Sequence, residues 1–196
     1  MEDSSMLMVG GVLFAIVLIY IYNKIVSLKE SVKRGWANVV TQERQKGKIL
    51  PEVIKLLDQY KGHEESVITE VTKLRTMAQQ LQNASSHLDE KEIDVKQVES
   101  LQRNMGTFLG GVNLVAEAYP QLEMKDVTNR IINEISDQEE NVGAAIRIFN
   151  SNVEDFNAFI SMFPMNIVNS VLNKEKMIDI FSDSEASKNI EYSPNL

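Results

Sequence analysis

Apolar residues along this chain recur in long stretches with the spacing of one helix face, interrupted at a few proline-rich or polar points. Ile25, Leu28, Val32, Trp36 and Val39 lie three or four residues apart. After Pro51, the positions Val53, Leu57, Tyr60, Glu64, Val67, Val71, Leu74, Ala78 and Leu81 alternate steps of four and three. Such spacing lines up one side of an α-helix, so the second set predicts one helix of about eight turns, with Pro51 tolerated in its first turn. The stretch Asn83 to Glu92 is polar and rich in loop formers, and the helical period resumes at Val95, Val98, Leu101, Met105, Phe108, Val112 and Val115. This predicts a third helix to about Tyr119, ended by Pro120. The longest stripe is Met124, Val127, Ile131, Ile135, Gln138, Val142, Ala145, Phe149, Asn152, Phe156, Phe159 and Phe163, stopped by Pro164 and followed by a short apolar piece, Ile167 to Leu172.

Each stripe needs cover, and no other layer is available to supply it. The predicted fold is therefore all-α: three to four long helices in an antiparallel up-and-down bundle, with coiled-coil-like seams. Glycine and proline number only 9 and 4, too few to punctuate a set of strands. Ser182 to Leu196 is polar and predicts a disordered tail.

The N-terminal region follows another rule. From Ser4 to Asn23 there are 20 consecutive uncharged residues, almost all apolar between Met6 and Tyr22. At about 1.5 Å per residue this run comes close to crossing a hydrocarbon core of about 30 Å. Glu2 and Asp3 precede it, and Tyr20, Tyr22 and Lys24 follow it, whereas a cleaved signal peptide would begin basic and end in small residues. The reading is a retained transmembrane helix whose tyrosines suit a headgroup belt and which continues outward as a stalk over residues 25–48. Gly35 and Gly47 weaken that continuity. The expected organisation is a short extracytoplasmic N-terminus at 1–5, a transmembrane helix at 6–22, a helical bundle domain at 23–181 and the tail at 182–196.

Charge adds an orientation. Between Lys24 and Lys48 stand seven basic residues (Lys24, Lys29, Lys33, Arg34, Arg44, Lys46, Lys48) against Glu30 and Glu43, and no basic residue precedes the apolar run. The positive-inside rule then places the N-terminus outside and the domain in the cytoplasm, with the basic cluster near anionic headgroups. The net charge of −8 argues against nucleic acid as a partner. Without cysteine there are no disulfides and no thiolate chemistry.

Candidate chemistry is sparse. Di-iron bundles carry glutamate three residues before histidine on each of two helices, but Tyr60 and Ala84 hold that place before His63 and His87. His63-Glu64 is the one histidine–carboxylate pair in a stripe. A buried Glu64 needs a partner, for which Arg75, Arg130 and Arg147 are available, and such a clasp would fix register. Glu134, Gln138 and Glu139 interrupt the last stripe and could complete a polar layer or, as the weaker alternative, an oxygen-rich divalent-cation site. No phosphate loop or nucleophile elbow is present. The expectation is a protein with no catalytic, cofactor-binding or metal-binding residues, no small-molecule substrate and no cofactor.

Several residues in order resemble the LemA family of bacterial membrane proteins: Tyr22-Asn23, Val32, Trp36, Gln42, Pro51, Tyr60, His63-Glu64, Arg75, Tyr119-Pro120, Leu122, Glu139, Arg147, Phe149-Asn150, Asn157 and Phe163-Pro164. The resemblance spans residues 20–170. It departs from the usual pattern at Gln45-Lys46-Gly47, where paired basic residues are common, and at Phe149, where tyrosine is common. It implies one N-terminal membrane helix, an antiparallel bundle and a place at the bacterial inner membrane, and it brings no established catalytic residues. In some bacteria members of the family act alongside membrane zinc proteases.

The function expected from these readings is a single-pass, membrane-anchored scaffold or interaction protein of the envelope. Its partners would be the lipid bilayer and other copies or other membrane proteins. Self-assembly would use Trp36, Val39 and Val40, apolar residues that a monomer would leave partly uncovered. The alternatives are an accessory subunit of a membrane protease and a metal-binding bundle.

Overall fold

The structure is a computed structural model that describes residues 2–58, 65–118 and 125–182. Among the described residues there are helices and no strands: α1 (Glu2–Gly47), α2 (Leu50–Asp58), α3 (Glu65–Ser86), α4 (Val95–Ala118), α5 (Lys125–Ser161) and α6 (Met165–Val168), followed by a single π-helical turn, Asn169–Asn173. The chain forms two compact units, Met1–Gly35 with Arg147–Ile180, and Trp36–Ile146 with Phe181–Leu196. α1 and α5 each contribute one end to both.

In the first unit, α1 runs without a break through Gly35. The glycine is there for proximity. A Cβ at this position would stand 3.2 Å from the Phe149 Cα and 3.1 Å from Asn152 Nδ2, so the backbones of α1 and α5 approach closely here. Asn152 Nδ2 donates to the Ser31 carbonyl at 3.3 Å. The contacts pair Gly35 with Phe149 and Ser31 with Asn152, so the two helices run antiparallel. After α5 the chain turns back: Asn157 bonds the backbone of Ile178 in both directions, Asn169 bonds that of Glu175, and Lys29 pairs with Glu175 at 2.6 Å.

The second unit is built on the other end of α1. α1 gives way to α2 through a tight turn at Lys48 and Ile49, whose N–H groups donate to the Gln45 and Lys46 carbonyls. The expected single helix from Pro51 to Leu81 is two helices. α2 packs against α3, and Arg75 Nε lies 2.9 Å from Asp58 Oδ1. Seventeen residues of continuous helix would separate this pair by about 25 Å. Unbroken periodicity cannot distinguish a long helix from a hairpin whose turn preserves the phase.

α3 packs against α4, with Leu74 lying over Gly111. The buried residues of α4 are the predicted stripe, Val95 to Val115. Its first turn is capped by Asp94, whose side chain accepts from Gln97 N at 3.0 Å. The loop before it is less loose than its polarity suggests. Leu88 is buried, Trp36 Nε1 donates to the Asp89 carbonyl at 2.9 Å, and Arg44 donates to the Leu88 carbonyl at 2.6 Å while pairing with Glu90.

Two further expectations need correction. Trp36, Val39 and Val40 are fully buried within the chain, so they offer no uncovered stalk surface for self-assembly. Phe163 was expected on the apolar stripe of α5 and is exposed instead, because the helix ends at Ser161 and its buried face shifts from Phe149 to Val153, Phe156 and Ile160. A straight helix drifts about 20° per heptad against a strict 3.5 repeat, which carries Asn152, Phe159 and Phe163 off the buried face. Most of the expected tail, residues 183–196, lies outside the described residues. Ser182 is held by hydrogen bonds from its N and Oγ to Glu99.

These contacts assign opposite outcomes to substitutions at two helical glycines. Gly35→Leu should destabilise by about 1–3 kcal/mol through overpacking against Phe149. Gly110→Ala, with no atom within 4 Å of the added carbon, should stabilise by about 0.5–1 kcal/mol. Urea unfolding in detergent micelles, followed by helical circular dichroism, measures both.

Candidate functional site

Two features of α1 depart from what an ordinary helix in water would carry. The first is its N-terminal part. Met6 to Tyr22 is an almost continuous run of exposed large apolar side chains, Phe14 for instance at 65% exposure. Among the described residues this is the one helix long and apolar enough to cross a membrane. Ile21 and Ile25 are buried while Tyr20 and Tyr22 are exposed, so protein cover begins at the end of the run.

The second is a charged pair at the other end. Glu43 and Lys46 are both 0% exposed. Lys46 Nζ lies 3.1 Å from Glu43 Oε2 and 3.3 Å from Oε1, one helical turn along the same face. Burial pushes the Glu43 carboxyl above its ordinary range; Lys46 opposes this, the Glu139 carboxylate reinforces it, and a hydrogen bond from the Gln102 amide opposes it. Side chains from α1, α4 and α5 thus meet around one buried carboxyl in the second unit.

The sequence carried a signal for this pair that hydropathy alone does not register. Val32, Trp36, Val39, Glu43, Lys46, Leu50, Val53 and Leu57 alternate steps of four and three through the turn between α1 and α2, and all eight are buried. Counting Glu43 and Lys46 with the headgroup-facing charges is therefore a correction. Both side chains are enclosed in the core of the second unit, and Arg44 is engaged with Leu88 and Glu90. The charges close to the apolar run are Lys24, Lys29, Lys33 and Arg34 against Glu30. Lys33 holds Glu30 at 2.6 Å, and this exposed hydrogen bond keeps the Glu30 carboxyl below its ordinary range.

The other candidates do not assemble with this pair as one site. His63 and Glu64 lie outside the described residues. Arg75, offered as a clasp for Glu64, pairs with Asp58. Glu134 and Arg130 are exposed, and Gln138 and Glu139 are half-buried; Arg147, also exposed, belongs to the first unit. Among the described residues no three His, Asp or Glu side chains gather in a metal-holding group. A groove of about 410 Å³ beside the buried pair is lined by Arg44, Gly47, Lys48, Pro51, Gln82, Ser85 and Ser86. It brings cations and hydroxyls together without a base positioned to activate either serine. Gly47 is required there, since a Cβ would stand 2.7 Å from the Ser85 Cβ.

Comparison with known proteins places this architecture. A family model described as the LemA family matches residues 35–192. The chain belongs to the LemA family. It is also similar to Protein LemA of Metamycoplasma hominis, with 24% identity over 166 residues that cover 85% of this chain and 71% of that protein. The LemA match begins at Gly35, so it takes in the buried pair and leaves the apolar N-terminal run outside. Gln45-Lys46-Gly47, where the resemblance to the LemA pattern breaks, is the segment that supplies the buried lysine and the glycine against Ser85.

The buried pair has a testable energetic signature. Lys46→Met would leave an uncompensated buried carboxylate and should destabilise by about 3–5 kcal/mol at neutral pH. Because burial raises the Glu43 pKa, the folded chain holds its proton at pH values where the unfolded chain has released it. The stability due to this group is then greatest below about 4.5 and falls as pH rises through the raised value. The Lys46→Met penalty should therefore shrink on acidification, and Glu43→Gln with Lys46→Met should recover most of the loss and flatten the pH dependence. Denaturant unfolding of the three proteins between pH 4.5 and 8 measures this.

Proposed function

We propose that this LemA-family protein is a single-pass, membrane-anchored scaffold of the bacterial inner membrane that presents a helical interaction domain at a fixed distance from the bilayer. The observation that carries this reading is the continuity of α1, which leaves an apolar, exposed run and becomes part of the domain's own core without a flexible joint. A joint of that kind would let the domain tumble; a helix shared with the core of the first unit sets that unit's height and inclination. In this proposal the helices alternate up and down, the N-terminus lies outside, and Lys24, Lys29, Lys33 and Arg34 hold the domain on the cytoplasmic side. The protein acts by aligning copies of itself or other membrane proteins through its helical surfaces.

Anchoring and partnering have separate tests. Phe14→Lys places a charge at the centre of the span at a cost of about 2.5–3.5 kcal/mol, and should move protein from the carbonate-resistant membrane fraction into the soluble one. Retention equal to the unaltered chain would argue against a spanning role for this segment. For partnering, mild cross-linking in intact membranes followed by mass measurement in nanodiscs should give a discrete species heavier than one chain. A species made of copies indicates self-assembly, one containing a protease indicates an accessory subunit, and a strictly monomeric particle at every concentration defeats the scaffold reading.

A further inference from the structure

The second exposed apolar surface of the first unit lies far from the N-terminus in sequence. Residues 156–173 are 18 consecutive uncharged residues, between Asp155 and Lys174. They include the end of α5, the α6 segment and the π-helical turn. Their buried members, Phe156, Ile160 and Val168, are core. Met162, Phe163, Ile167, Val171 and Leu172 are not: each is more than half exposed, and Phe163 reaches 78%. Clustered apolar side chains left uncovered in this way mark a contact with something other than water.

Register identifies that contact. α5 runs antiparallel to α1, with Phe149 beside Gly35 and Asn152 beside Ser31. Phe163 lies 11 residues beyond Asn152. An equal number of steps back along α1 from Ser31 reaches Tyr20, about 16 Å along the axis, and the Gly35–Phe149 pairing leads to Ile21. Phe163 thus falls level with Tyr20 and Ile21, where the apolar run of α1 meets its first charge, Lys24. The charges that close the uncharged segment are ordered correspondingly. Lys174 and Lys176 are exposed and flank Glu175, which is paired with Lys29, so they lie farther along α1 than Phe163; Asp155, three residues after Asn152, falls at the same level as Lys29. Phe163 on the bilayer side, with charged side chains about two turns of helix away toward water, is the arrangement that a surface seated in the headgroup boundary requires.

We infer that the turn from Met162 to Leu172 is a second membrane contact, inserted shallowly into the same leaflet from which α1 emerges. The proposal rests on α1 spanning the bilayer and goes beyond it. A single helix leaves rotation about its own axis free, whereas a second contact beside it holds one face of the first unit against the lipid. Its occupant is the lipid surface, because Phe163 falls at the level where the apolar run of α1 ends, and the charges that close the segment, Asp155 and Lys174, lie toward Lys29.

The chain has no cysteine, so single labels report without background. The full-length chain would carry an environment-sensitive fluorophore at Phe14→Cys, Phe163→Cys, Leu172→Cys or Asp137→Cys, in vesicles of phosphatidylcholine and phosphatidylglycerol. Each protein would be probed with nitroxides deep in the acyl chains, nitroxides close to the headgroups, and aqueous iodide. The expected result is quenching of the Phe14 label by the deep nitroxide, with a blue shift and preferential quenching by the shallow nitroxide at the Phe163 and Leu172 labels. The Asp137 label should respond to iodide alone. If Phe14 responds to the deep nitroxide while Phe163 and Leu172 respond only to iodide, the second contact is overturned and the anchor stands. If Phe163 and Leu172 are shielded from iodide but reached by neither nitroxide, protein covers the cluster and the inference is again overturned. If Phe14 itself escapes the deep nitroxide, the spanning reading fails and the second contact with it.

Discussion

The backbone of α1 keeps one regular hydrogen-bonded form over 46 residues while the surroundings of its side chains change completely. Near Phe14 the side chains project outward with no protein cover; near Val39 they are wholly enclosed. A helix satisfies its own backbone polar groups whether its side chains are covered or bare, and that makes the change possible without a change of conformation. The rest of the structure follows from accommodating this one rod. α5 approaches it closely enough that any side chain at Gly35 would be crowded, and the segment after α5 must fold back along it to bring Glu175 to Lys29. α2 must begin through a two-residue turn that keeps the buried face in phase.

The same rod explains why an ionic pair tolerates full burial. Glu43 and Lys46 sit one turn apart on a single helix, so the geometry that joins them is fixed by the backbone and costs little additional side-chain ordering. Buried charges of this kind seldom add net stability compared with apolar residues of the same shape. Their effect is on alternatives, since sliding α1 by a turn against α4 and α5 would take the carboxyl away from Gln102 and place a charge against hydrocarbon.

Much of this was legible in residue spacing. The α4 stripe was complete from Val95 to Val115, the apolar N-terminal run was evident from composition, and Pro164 marked the end of α5 to within a few residues, while Pro120 lies outside the described residues. The failures share one cause, which is that periodicity records phase and not direction. α2 and α3 read as one helix because the phase continues from Val53 through to Leu81, and the packing of α2 on α3, with the Asp58–Arg75 pair, reveals the reversal. The buried pair was hidden for the complementary reason: Glu43 and Lys46 hold the right phase but the wrong polarity for a search based on apolar residues. Phe163 was misplaced because a strict repeat was followed beyond the point where the helix drifts away from it. Position relative to a neighbour, as between α1 and α5, required the fold.

Trp36 is the only tryptophan in the chain. Its ring nitrogen is bound to the Asp89 carbonyl, and its face lies against Phe181, with ring centroids 6.3 Å apart and an interplanar angle of 21°. One indole therefore senses the α3–α4 loop and the segment ending at Ser182 together. The emission of the unlabelled protein is a built-in optical gauge of whether those two pieces of chain are seated on α1, and it can be read on the purified protein in lipid vesicles without any added dye.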